Sequence, residues 1–134
     1  VVIKTGQANA YTFSLSSPTL VLWKAKGMSI QEFVNIPDNI TPVPGSSIDN
    51  VVKIPYEWVY DAVEVFDARS ANNSKRLAPS ADAGYALQTD VFLGHSLRRH
   101  VDKEASAASG YEVLTDTNNS LNDFYESEKQ SLYE

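Results

Sequence analysis

The chain has 134 residues, a net charge of -6, no cysteine and a hydrophobic content of 43%. Without cysteine there is no disulfide framework, thiolate metal site or cysteine nucleophile, and the acidic balance argues against a cation-rich surface for phosphate backbones. The length suits one domain with a core that needs no staples, and no apolar run approaches the roughly 20 residues that cross a bilayer.

The chain opens Val1-Val2-Ile3 without methionine, which reads as a processed or trimmed chain. Tyr11 to Ser16 alternates with the period of a half-buried strand. Thr19 to Ala25 is more continuously apolar, and Pro18 suits the first position or an edge of that strand. Ser29 to Val34 reads as a helical turn or a strand. The turn is preferred, because Ser29 and Glu32 have capping-box spacing. Pro37, Pro42, Pro44 and Gly45 make residues 37–50 a loop.

In the segment Ile54 to Asp67, Pro55 fits a turn over 55–58, and the β-branched and aromatic run that follows fits a strand over 59–66. As a helix, the same segment would put Ile54, Trp58, Ala62 and Val65 on one face. The small polar residues 68–84 form an excursion between strands, and Tyr85 to Leu93 is the next strand. Leu97 to Ala108 is helix-permissive and Gly110 stops it. Tyr111 to Thr115 is a short strand. Residues 1–115 are thus read as the globular domain, and 116–134 as an acidic polar tail or a short amphipathic helix.

Reactive constellations are sparse. His95 and His100 are five apart and point to different faces of a helix, so with no nearby carboxylate pattern they read as surface imidazoles beside Arg98 and Arg99. Glu57, Asp61 and Glu64 form an acidic stripe if helical, read as a solvated face. Neither a G-x-G-x-x-G nor a Walker-type glycine loop occurs. Sequons start at Asn39, Asn72 and Asn118, and Lys75-Arg76 and Arg98-Arg99 are dibasic pairs.

Residues 19–66 carry a family resemblance. Leu20 to Ile30 looks like a strand and glycine turn, Pro37 to Pro44 like a proline-rich loop, and Ile54-Pro55-Tyr56-Glu57-Trp58-Val59 with Ala62 to Val65 like an Ile-Pro turn entering a strand. This pattern resembles the ADP-ribosyltransferase domain of the cholera and pertussis class of toxins, over about a third of the chain. The resemblance implies catalytic glutamates near Gly45 and Ser47. Neither position is acidic, and Asp49 is displaced. The transferase reading is therefore that of a degenerate relative without activity.

These readings converge on a mainly β (α+β) domain, a small antiparallel sheet with one or two short helices. The expected role is a non-catalytic binding or structural module, such as a virion component or part of a secreted assembly. Trp23, Tyr56, Trp58 and Tyr60 are its candidate contact residues, and Tyr11, Tyr85, Tyr125 and Tyr133 add to the aromatic supply. Asn39, Asn72 and Asn118 are candidate glycosylation sites. No catalytic, cofactor-binding or metal residue is assigned, and the expected partner is a protein or a second copy, not nucleic acid. The alternative is a secreted toxin or effector domain with the degenerate transferase-like fold.

Overall fold

The computed structural model describes residues 19–42 and 50–129. The expected strands at Val1-Val2-Ile3 and Tyr11–Ser16, the positions Gly45, Ser47 and Asp49, and Tyr133 lie outside the described residues. In chain order the elements are β1 (Thr19–Trp23), α1 (Ile30–Val34), a 3-10 turn (Pro37–Asn39), β2 (Ile40–Pro42), β3 (Asn50–Val52), a second 3-10 turn (Tyr56–Trp58) and β4 (Val59–Asp67). There follow β5 (Ala86–Gln88), β6 (Ser96–Arg99), β7 (Val101–Asp102), α2 (Lys103–Ser109), β8 (Val113–Leu114), α3 (Ser120–Asp123) and β9 (Phe124–Ser127). The protein is β-rich, with small antiparallel sheets and few short helices, as its sequence implies. The pairs β2–β3, β6–β9 and β7–β8 are antiparallel. In the three-stranded sheet, ordered β1-β4-β5, the β4–β5 pair is parallel. Residues 68–85 supply the crossover that parallel neighbours require.

The chain divides into two compact units. One comprises Val1–Phe13 with Val21–Asp61, the other Ser14–Leu20 with Ala62–Glu134.

In the first unit the sequence signals are local and they hold. Ser29 Oγ accepts from the Glu32 amide at 3.2 Å, and the Ser29 amide donates to Glu32 Oε2 at 2.7 Å. This reciprocal cap settles residues 30–34 as a helix and not a strand. It also points Phe33 inward. The Phe33 ring lies 4.8 Å from Trp58 and 5.9 Å from Trp23, and the two indoles stack at 6.3 Å. Burying Phe33 stabilises the unit by about 2 kcal/mol. The Trp58 amide donates to the Pro55 carbonyl at 3.0 Å, closing the turn before β4. Within the expected loop 37–50, the described residues form a 3-10 turn and strand backbone. Asn39 Nδ2 donates to the Phe33 carbonyl at 2.9 Å, and β2 then pairs with β3 in the register Ile40↔Val52.

In the second unit, strand pairing overrides local helix propensity. Leu97, Arg98 and Arg99 are not helical as expected. They pair with Glu126, Tyr125 and Phe124 across β6–β9, and the helix waits until Lys103. There Asp102 caps it from Oδ1 to the Ala105 amide at 2.9 Å, and Gly110, at φ 75°, ends it in the left-handed region as expected. The strand expected over Tyr85–Leu93 stops at Gln88. Residues 116–129 hold α3 and β9, with Ser120 and Asp123 buried. Asp123 accepts from the Thr117 hydroxyl at 2.7 Å and the Thr117 amide at 3.0 Å. Phe66 stacks on Tyr85 at 4.3 Å, and Ala62 and Ala86 are buried.

Candidate functional site

The candidate contact residues sort into two kinds. Trp23 and Trp58 are half-buried members of the aromatic cluster in the first unit. Tyr56 and Tyr60 project outward, 59% and 65% exposed, and so does Leu22 at 64%. β1, which carries Leu22, and β4, which carries Tyr60, are hydrogen-bonded neighbours in the sheet. On the strands, period-two alternation separates the two kinds. Trp23 and Val59 turn toward the protein while Leu22 and Tyr60 turn away. Behind the exposed side chains the backbone is held by Lys24 N donating to the Trp58 carbonyl at 3.0 Å and by the Lys26 ammonium on the Glu57 carbonyl.

Of the sequon asparagines, Asn72 is exposed on a turn. Asn39 is half-buried with its amide nitrogen on Phe33. Asn118, at φ 57°, donates from Nδ2 to the Pro79 carbonyl at 3.0 Å.

The acidic stripe is not a solvated face. Glu57 is exposed, but Glu64 is wholly buried on β4. Its Oε1 accepts from the Arg76 amide at 2.8 Å and from the Thr19 hydroxyl at 3.3 Å, and Oε2 lies 3.1 Å from the Lys75 ammonium. The dibasic pair Lys75-Arg76 is thereby tied down through both of its members. Asp82, also buried, lies 3.9 Å from the same ammonium and accepts from the Gly84 and Ser120 amides, each at 3.0 Å. Burial pushes the Asp82 carboxyl up, but the hydrogen bonds from Ser120 and Gly84 and the Lys75 charge outweigh it and hold it below the ordinary value. No short-range pattern announces this network, because its members come from separate segments.

His95 is likewise no surface imidazole beside arginines. After β5 the chain turns through Asp90 to Gly94, with Phe92 at φ 71°, and brings His95 Nδ1 to 3.2 Å from Glu126 Oε1 and 3.8 Å from Asp90 Oδ2. Glu126, on β9, is fixed from several sides. Its Oε2 accepts from the Thr89 amide at 2.7 Å and the Thr89 hydroxyl at 2.6 Å, and Oε1 accepts from the Asp90 amide at 3.0 Å. Burial raises its carboxyl, yet the bonds from Thr89, Asp90 and His95 prevail and lower it. His100, by contrast, is exposed against the Tyr125 ring at 4.8 Å.

A family model described as a protein of unknown function, DUF4876, matches residues 1–131. No curated protein matches the chain. The crystal structure of a DUF4876 family protein from Bacteroides thetaiotaomicron is similar, with a TM-score of 0.71 and 27% identity over 91% of this chain. The chain spans 33% of that neighbour's length. These matches overturn the resemblance to the ADP-ribosyltransferase domain of the toxins. Its strand, turn and Ile-Pro features are generic to β structure, and the kinship along nearly the whole chain lies elsewhere. Among the described residues, no helix is long and apolar enough to cross a membrane.

Proposed function

The chain belongs to the DUF4876 family, and we propose that it is a non-catalytic binding or assembly module that makes protein–protein contact through its exposed aromatic surface. The supporting observation is the pair Tyr56 and Tyr60, exposed on the segment that Trp58 anchors into the fixed Trp23–Phe33–Trp58 cluster, with Leu22 exposed on the neighbouring strand β1. Tyrosine offers a large amphipathic surface at small entropic cost, and a firm backing lowers that cost further. Such residues are favoured anchors in interfaces. The family neighbour is about three times the length of the matched region, so in that protein this region has further polypeptide to meet.

Sedimentation velocity over a range of concentrations, on the chain and on Tyr56→Thr/Tyr60→Thr, tests the reading. The expectation is self-association, or a complex with a defined partner, that the double variant loses. A strictly monomeric chain, with no partner retained by the parent but not by the variant, overturns it.

A further inference from the structure

The cluster Asp90, His95 and Glu126 in the second unit has a donor set and spacing of its own. It joins one imidazole nitrogen to two carboxylate oxygens, and the three ligand atoms all lie within 4.8 Å of one another. We propose that these three residues bind a divalent cation of the zinc type, with water completing the coordination. Three arguments support the assignment.

The first is geometric. With bonds near 2.0 Å, the edge of a tetrahedron around zinc is about 3.3 Å. His95 Nδ1 and Glu126 Oε1 stand 3.2 Å apart, already at that edge. His95 Nδ1 and Asp90 Oδ2 are 3.8 Å apart, and Asp90 is exposed and can swing to close the difference. Its exposure also leaves the remaining position to solvent.

The second concerns support around the ligands. Metal-binding carboxylates are themselves held by outer hydrogen bonds. Glu126 is held by the Thr89 amide, the Thr89 hydroxyl and the Asp90 amide. Glu126 therefore keeps its place without the ion, and Asp90 is the ligand that moves to it.

The third is chemical. An imidazole with two carboxylates suits zinc or a neighbouring transition metal better than calcium or magnesium, which prefer oxygen alone. The same His95 and Glu126 atoms form an ion pair when the imidazole carries a proton, and the cation takes the place of that proton.

The test is zinc titration of the chelator-treated 134-residue chain by calorimetry, followed by cobalt substitution read in the visible spectrum. One-to-one binding with a micromolar or tighter Kd is expected. Asp90→Asn and His95→Gln should each weaken it by about 10-fold or more, while His100→Gln should leave it unchanged. Circular dichroism confirms that the variants fold. Asp90→Asn is the decisive one, because its exposed side chain is the ligand least needed by the fold. The absence of one-to-one binding in the parent chain overturns the proposal. So does an affinity that survives both Asp90→Asn and His95→Gln, which would place the ion elsewhere.

Discussion

The ammonium of Lys75 lies 3.1 Å from the carboxylate of Glu64, and of the two it is the glutamate that is wholly buried. A buried charge is tolerated where it is paired and hydrogen-bonded. Losing the cation leaves the anion stranded, which costs more than the pair itself contributes. Lys75→Met is therefore expected to destabilise the protein by about 3 kcal/mol in urea denaturation. The double variant Glu64→Gln/Lys75→Met should recover part of that loss. If the double variant is as unstable as the sum of the two single changes, the pairing argument fails.

Acid should weaken the second unit through Asp82. Its folded carboxyl titrates below its ordinary value, so the unfolded chain takes up a proton first as pH falls. The stabilisation is present above the unfolded value and is lost as pH drops through it toward the folded one. Melting temperature measured between pH 6 and roughly 3 should fall, and Asp82→Asn should flatten the slope while lowering the plateau. Glu126, also lowered, adds to the same trend.

Gly84 has no room for a side chain. A Cβ there would come within 1.9 Å of Asn119 Oδ1 and 3.0 Å of the Leu121 amide. Asn119 is the residue that caps α3, accepting from that same Leu121 amide at 3.2 Å. Gly84→Ala should cost about 2 kcal/mol by overpacking and raise hydrogen exchange at Leu121. An unchanged melting temperature would contradict the close approach.

The outward and inward aromatics should respond differently. Tyr60→Thr keeps a strand-forming residue at an exposed position and should leave stability within about 0.5 kcal/mol. Trp58→Ala removes a wall of the Phe33 pocket and should cost about 3 kcal/mol. Comparable losses for the two would mean that Tyr60 belongs to the core and not to a contact surface.

Where the sequence was readable, the determinants were close together along the chain. Ser29 and Glu32 are three residues apart and define α1 by themselves. Pro55 and the β-branched run after it mark a turn and then a strand, and the turn at 56–58 and β4 follow that order. Gly110 ends α2 because the left-handed position there favours a residue without Cβ.

Misreadings fall where distant segments decide. Leu97 to Arg99 would suit a helix in isolation, but Phe124 to Glu126 offer them strand partners, and tertiary pairing outweighs a propensity of a few tenths of a kcal/mol per residue. Glu64 looks like a surface acid until Lys75 and Arg76 fold back over it. His95 looks isolated because the carboxylate nearest it, Glu126, belongs to β9. No pattern of period two or 3.6 encodes such meetings. Even the exposed Tyr56 and Tyr60 are separable from Trp23 and Trp58 only once the strand faces are known.

The bonds from Asp82 to Ser120 and from Glu126 to Thr89 link residues 38 and 37 positions apart. During synthesis the chain emerges from its amino end, so Asp82 and Thr89 are made before the α3 and β9 groups that they meet. These bonds can form only once β9 has been made, and contacts so far apart in sequence are slow to find one another. A ribosome paused before Ser120 would present Asp82 and Thr89 without the partners that α3 and β9 bring.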